Sequence, residues 1–540
     1  MHAITHAPPV ETWTVTKPVV SSAAGVVASQ HHLASTIGAR VLAEGGNAVD
    51  AAVTAGLAIG TVEPWMSGLG GCGYMLVRLA RTGETWCVEF GVRSPLALDP
   101  AAYPIVEGAD ADLFAWPAVL EDRNVHGPLA IAVPGMVAGH AAALSRFGTR
   151  SWAEALAPAI AEAKAGLTVD WYATLKIAAE ARALELDRES ARTYLPDGLP
   201  PSGTWGGPLP TIHLGNLAAT LERLADAGPD DFYRGDIAAE LVADAKQVGS
   251  VLSADDLGRY SSSIHPALSA RYRGARVNGA PGLTASPTLI HALSLIDAPL
   301  AGVAGRPDGT AFAAYATALR TAYAHRLETL GDNGEAGGEA AGHETCTTHM
   351  SVVDGEGNVV TLTQTLLSVF GSRVMLPGTG ILMNNGIMWF DPRPGHPNSI
   401  QPGKRPLSNM CPAILELSGG RCVGLGASGG RRIMPAVMQL ISFLVDYGLD
   451  LETAVHLPRI DVSGGPDLIA DPRLGSEVHE RLAADQPVTV VPNAVYPALF
   501  ACPNLVVHDG ASGECSGAAY LMSPWAAAVA AMAVGAGGAN

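Results

Sequence analysis

The run TTHMSVV at residues 347–353, the turn DGEGN at 354–358 and the run VVTLTQT at 359–365 read as a β-hairpin, because two segments rich in β-branched residues flank a polar, glycine-containing turn. If Val353 pairs with Val359, the register runs through Ser351 opposite Thr361 and His349 opposite Thr363 to Thr347 opposite Thr365. Two threonine hydroxyls then face each other at the open end of the hairpin. Upstream, GDNGEAGGEAAGHET at 331–345 offers almost nothing to bury and reads as a surface tether. A threonine at the head of a buried strand, behind a tether that can withdraw, is the arrangement an N-terminal nucleophile requires. The plain alternative is an ordinary strand residue following a loop.

A cut between Cys346 and Thr347 would expose an α-amine whose reference pKa of about 7.7–8.0 makes it a competent base beside its own hydroxyl. Before the cut, the same hydroxyl would attack the Cys346 carbonyl and form an ester that water opens. Thr365 would hold the hydroxyl by hydrogen bonding.

The chain of 540 residues is 48% hydrophobic and only 16% charged, as expected of a globular protein with one large core or two modest ones. Its 33 basic against 51 acidic residues give a formal charge of −18, which argues against nucleic acid and acidic membrane surfaces as partners. The first twenty residues carry neither a secretory nor a stop-transfer pattern, so a cytoplasmic location is expected. Seven cysteines without CxxC pairing fit reduced thiols rather than a metal site or a disulfide framework.

Residues 25–64 begin with an apolar strand, GVVAS. An amphipathic helix carrying Leu33, Ile37 and Val41 follows, then a second helix capped by Asn47 and ending before Pro64. The loop SGLGGCG at 67–73 contains G-x-G-x-x-G, but a helix enters it and a strand leaves it, the reverse of a dinucleotide site. It reads instead as a tight turn that lets backbones approach closely. From 130 to 330 the pattern is mostly helical, and Trp525 to Ala533 reads as a terminal packed helix.

Several segments, in order, resemble the γ-glutamyltransferase family of N-terminal-nucleophile hydrolases: GGNAVDAAV (45–53), VEPWMSGLGGCGY (62–74), TTHMSVVD (347–354), GTGILMNN (378–385), PGKRPLSNMCP (402–412), GASGGRRI (426–433) and LPRID (457–461). The resemblance spans most of the chain, loosely over 100–330. It implies an α+β fold, a four-layer αββα sandwich with an α-rich large-subunit region. A large subunit 1–346 and a small subunit 347–540 would form a self-cleaved heterodimer or a dimer of heterodimers, with no cofactor or metal and a small-molecule amide as substrate. Carried over, Thr347 is nucleophile and base, Thr365 its hydroxyl partner, and Gly429 and Gly430 supply the oxyanion hole. Placed ahead of the apolar helix Ile433 to Val445, the two glycines would offer N–H groups at a positive dipole end. GASGG also satisfies G-x-S-x-G, so Ser428 is a rival nucleophile, with His456 and His479 downstream. Cys346 is a third candidate, which the motif alignment puts on the leaving side of the cut.

The chain departs from the family where a substrate's α-amino group would bind. The family pattern Asn-Asn-Gln-Met-Asp-Asp-Phe appears as Asn384-Asn385-Gly386-Ile387-Met388-Trp389-Phe390, and Leu367 replaces an asparagine two residues after Thr365. An ammonium against Trp389, Met388 and Leu367 would lose its ionic partners, at a cost of several kcal/mol. On the anion side Ser408 remains, Asn409 replaces a second serine, and Arg93 lies two positions beyond Gly91, where the family's arginine falls. Asn385, Trp389, Ser408, Asn409 and Arg93 are therefore the candidate substrate contacts. The expected acyl group has a terminal acid or amide oxygen and no α-amine, of an oxamate or glutaryl kind. A true γ-glutamyl enzyme is the rival within the family, and an inactive scaffold the rival outside enzymes. The stretch DPRPGHPNSIQPGKR after Phe390 is short for a lid, so an open pocket is expected.

Overall fold

In the computed structural model, residues 15–109, 116–332, 347–463 and 468–532 are described. Cys346, most of the expected tether (333–345) and Ala533 lie outside them.

Two seven-stranded sheets stack face to face. The first runs Ala527–Ala530, Gly25–Ser29, Thr348–Asp354, Val359–Thr365, Cys72–Arg78, Thr85–Phe90, Ser263–Pro266 in spatial order. The second runs Val20–Ser22, Cys515–Ala519, Cys502–His508, Cys422–Ser428, Ala413–Glu416, Ala275–Gly279, Leu268–Tyr272. Three apolar clusters separate the layers. One lies between the sheets, with Val26, Ala28, Tyr74, Leu76, Val353, Val359, Ile414 and Val506. A second joins the outer face of the first sheet to helices His32–Ala43, Ala48–Val62, Met136–Phe147 and Trp152–Ala165. The third joins the second sheet to Ser286–Ile296, Gly309–Thr329 and Ile433–Val445. Helix, sheet, sheet, helix is the expected αββα order, and alternating side chains on each strand supply both faces at once.

The hairpin forms in the expected register: Val353 opposite Val359, Ser351 opposite Thr361, His349 opposite Thr363. Asp354 organises its turn. One carboxylate oxygen accepts from the N–H groups of Glu356 and Asn358 at 3.1 and 2.9 Å, and the other from the Ala48 N–H at 2.9 Å, which ties the turn to a helix start. That helix begins in a capping box made by Asn47 and Asp50.

Three expectations need correction. The terminal segment forms an edge strand, Ala527–Ala530, not a helix, because pairing with Gly25–Ser29 satisfies its backbone where alanine's helix propensity is worth only tenths of a kcal/mol per residue. The helical middle region also gives strands Ser263–Pro266, Leu268–Tyr272 and Ala275–Gly279 to the outer edges of both sheets. Leu33 is 36% exposed; the first helix buries Ile37 as expected, together with Ala34, Gly38 and Leu42.

Candidate active site

Strand ends gather at one end of the sandwich. Thr348 pairs with Gln364 and Thr365 with Cys72, so carrying the hairpin register one step further sets Thr347 opposite Thr365. Thr347 is 3% exposed, one residue ahead of its strand. The Thr365 hydroxyl oxygen accepts the Leu367 N–H at 2.8 Å, which leaves its proton to donate elsewhere. This contact requires Leu367 to turn back sharply, at φ +86, and Phe370 and Arg373 in the same loop are also left-handed at +60 and +61. Left-handed backbone at non-glycine residues is strained and tends to cluster where function overdetermines the geometry.

The glycine loop meets this corner from below. A Cβ on Gly71 would overlap the Thr365 carbonyl, and one on Gly73 would come within 2.6 Å of the Thr363 carbonyl. The close-approach reading of residues 67–73 therefore holds, with a helix entering and the strand Cys72–Arg78 leaving.

On the facing sheet, Gly426 lies under the His349 ring, where a Cβ would overlap it. One strand step onward, Ser428 reaches the level of Thr347, and Gly429 and Gly430 follow at φ +126 and +56. A Cβ on Gly429 would lie 2.9 Å from the Ala501 backbone, so glycine is required for both conformation and space. Among the described residues none accepts the N–H of Gly429 or Gly430, and the helix Ile433–Val445 begins just beyond, as expected. Two N–H donors therefore stand at the level of Thr347, ahead of a helix N-terminus.

Ser428 has no histidine partner among the described residues. Its hydroxyl accepts a hydrogen bond from Gln30, whose amide also donates to the Cys502 carbonyl at 3.2 Å. The downstream histidines are engaged elsewhere: His456 Nε2 with the Lys17 carbonyl at 3.1 Å and His479 Nε2 with the Asp471 carbonyl at 3.0 Å.

The candidate substrate contacts divide into two kinds. Asn385 sits beside the Thr365 loop but is already committed. Its carbonyl oxygen accepts the Ser368 N–H at 3.0 Å, and its amide hydrogens go to the Val125 carbonyl at 3.0 Å and the Ser368 hydroxyl at 2.7 Å. Ser408 is also anchored: its hydroxyl accepts the Met410 N–H at 3.2 Å, and its carbonyl accepts from the buried Arg326 guanidinium at 2.5 Å. Asn409 and Trp389 differ. Both are 3% exposed, and neither Asn409's side-chain amide nor the Trp389 Nε1 has a partner among the described residues. Ala413 pairs with Leu425, so the same strand carried back toward Asn409 runs toward the level of Gly429. Arg93 is exposed, with its backbone bridged to Val133 beyond the edge of the first sheet. Leu367, Met388 and Trp389, where the family carries polar groups, are all buried.

After Phe390 the chain is held down on itself. Asp391 pairs with Arg393 at 2.7 Å, and the Lys404 ammonium, its pKa lowered by burial, donates to the Pro397 carbonyl at 3.0 Å.

Three residues at this end escaped the sequence reading. Gln30 stands where the apolar strand GVVAS meets a polar residue, a signal available but not used. Glu63 ends the helix Ala48–Val62 fully buried; burial pushes its carboxyl up to about 8, opposed by the Lys176 ammonium, and its Oε2 has no hydrogen-bond partner among the described residues. His349 is also fully buried, which lowers its pKa to about 3 and keeps it neutral.

The profile of the Gamma-glutamyltranspeptidase family matches residues 34–337 and 333–496. The chain is 32% identical over 499 residues to the acylase ACY 1 proenzyme of Pseudomonas sp. (strain SE83), covering 86% of this chain and 87% of that protein. It is 31% identical over 499 residues to the glutathione hydrolase proenzyme of Escherichia coli (strain K12), covering 82% of each. The crystal structure of cephalosporin acylase from Bacillus halodurans superposes with a TM-score of 0.83 over 98% of this chain and 99% of that one, at 23% identity, a likeness of fold. The fold and its relatives define an enzyme of the N-terminal-nucleophile hydrolase class. Within that class, the chain belongs to the gamma-glutamyltranspeptidase family.

Proposed function

We propose that the chain cleaves itself between Cys346 and Thr347 and then hydrolyses or transfers the acyl group of a small amide whose acid carries no α-amino group. Thr347 attacks the amide carbonyl, its own α-amine taking the hydroxyl proton. Thr365 donates to the attacking oxygen, and Gly429 and Gly430 receive the oxyanion. The amine leaves with the proton, and water or an acceptor amine releases the acyl group from Thr347. The large and small pieces remain together as a heterodimer. Relatives described as proenzymes, an acylase and a glutathione hydrolase among them, support self-cleavage.

The observation that carries the choice of acyl group is the apolar cluster that contains Leu367, Met388 and Trp389. All three are buried, so an ammonium there would be desolvated without a carboxylate to receive it. The Asn409 amide and Trp389 N–H, without partners among the described residues, suit a terminal carboxylate or amide oxygen instead. The test compares hydrolysis of glutaryl-p-nitroanilide, γ-glutamyl-p-nitroanilide and oxamate by purified protein. A glutaryl or oxamate preference is expected; a strong preference for the γ-glutamyl compound overturns the reading and favours a γ-glutamyl enzyme, as the relatives described as glutathione hydrolases would suggest.

A further inference from the structure

His349, Ser351, Thr363 and Asn504 form a circuit between the two sheets whose direction can be worked out. Ser351 donates its hydroxyl proton to the Asn504 carbonyl at 3.4 Å, so toward the imidazole it acts as acceptor. His349 Nε2, 3.0 Å from the Ser351 hydroxyl, therefore carries the ring proton. Nδ1 is then the ring's acceptor, and it takes the Thr363 hydroxyl proton at 2.8 Å. The Asn504 amide closes the loop by donating to the His349 carbonyl at 2.6 Å. Burial holds the ring neutral, as this pattern demands, since a doubly protonated ring could not accept from Thr363.

The circuit joins three strands, and the two strands of the hairpin each carry a group of the proposed chemistry one side-chain step nearer the open end. His349 lies two residues after Thr347 and Thr363 two residues before Thr365, and the two face each other. Asn504 pairs with Gly426, which lies three residues before Gly429 on the neighbouring strand's continuation. Gly426 admits the ring against its own backbone, so the ring fixes how closely the second sheet approaches the first. We infer that His349 is a positioning residue that sets the spacing between the Thr347 and Thr365 hydroxyls on one sheet and the Gly429–Gly430 donors on the other. The inference rests on Thr347 being the nucleophile. It makes no contact with substrate and transfers no proton.

The experiment uses full-length protein, with His349→Leu, His349→Gln and the near-isosteric Thr363→Val. Self-cleavage is followed by mass spectrometry, folding by thermal unfolding, and kcat, KM and the pH profile on the amide that the wild type turns over best. In protein that still folds cooperatively, His349→Leu and Thr363→Val should lower kcat by about 10–100-fold with KM nearly unchanged, the scale of a misplacement of about an ångström. His349→Gln, which can still donate and accept, should recover part of the loss. The pH profile should keep its shape in all three, because the ring does not titrate in the working range. Unchanged kcat in folded Thr363→Val overturns the inference. So does a shifted acid limb in His349→Gln, which would make the ring a proton-transfer group. If the wild type itself turns over amide uncut, the nucleophile assignment has failed instead, an outcome visible before any variant is compared.

Discussion

At the scale of single residues, the proposal reduces to one hydroxyl and one amine on Thr347. Thr347→Ala removes the attacking oxygen from both reactions, so the precursor should stay whole on a denaturing gel and amide hydrolysis should fall by about 10⁵-fold or more. Thr347→Ser keeps the oxygen and should keep both cleavage and turnover at reduced rates. An alanine variant that still splits ahead of residue 347 would remove threonine from the mechanism. The facing pair Thr347 and Thr365 was legible in the sequence because a strand's side chains alternate and one turn fixes the register of both strands. The partners of Gln30 and Glu63 and the Asn504 link of the His349 circuit were not, since each is brought together from strands or helices far apart in the chain. Asn385 illustrates the same limit in reverse. Its motif is readable, yet only the fold reveals that its amide is spent on Ser368 and Val125.

At the scale of elements, the loop at 67–73 carries more of the site than any helix does. Gly71 lies against the Thr365 carbonyl, and its own carbonyl accepts the N–H groups of Gly135 and Met136 at 2.9 and 3.0 Å, so it cannot retreat from an added side chain. Gly71→Ala should therefore displace the end of the Thr365 strand and lower kcat by about 10-fold or more, on the usual sensitivity of a preorganised site, with a loss of stability of about 1–3 kcal/mol. Kinetics and thermal unfolding of the variant check both; normal turnover would mean that the loop does not brace Thr365. Periodicity located the hairpin, the Asn47-capped helix and the helix Ile433–Val445 because each has its own local signature. It misread Ala527–Ala530, whose alanines carry no strand signature and take their conformation from the Gly25–Ser29 edge. The strands at 263–279 escaped for a related reason: they are short outer strands whose partners are distant in sequence.

At the scale of the whole molecule, residues 1–346 and 347–540 are not separate lobes, because each sheet draws strands from both sides of the proposed cut. Parting them would expose the core between the sheets, so a processed pair should unfold as one unit. Buried titratable groups then shape how that unit responds to pH, His140, His349 and Glu63 among them. His140, bonded to Gln364 at 2.9 Å, and His349 have pKa values lowered by burial to about 4 and about 3. Their unfolded forms take up protons below about 6.5 while the folded forms do not, so each makes stability fall with acidification by about 1.4 kcal/mol per pH unit until its folded pKa is reached. Glu63 has the opposite sign. Its folded pKa is raised to about 8, so between about 4.5 and 8 the unfolded chain releases a proton that the folded one keeps, and stability falls as pH rises across that window. Among these three, the two histidines outweigh the single carboxyl below about 6.5 and Glu63 alone acts above it, so their combined contribution turns over near pH 6.5; Asp461, also fully buried and raised by burial, has the same sign as Glu63. Glu63→Gln, neutral at every pH, should flatten the loss between pH 6.5 and 8 while leaving the acid limb intact, as read from unfolding midpoints across pH 5–8. An alkaline limb as steep in the variant as in the wild type would mean that Glu63 is ionised in the folded protein, with a cation drawn in beside it.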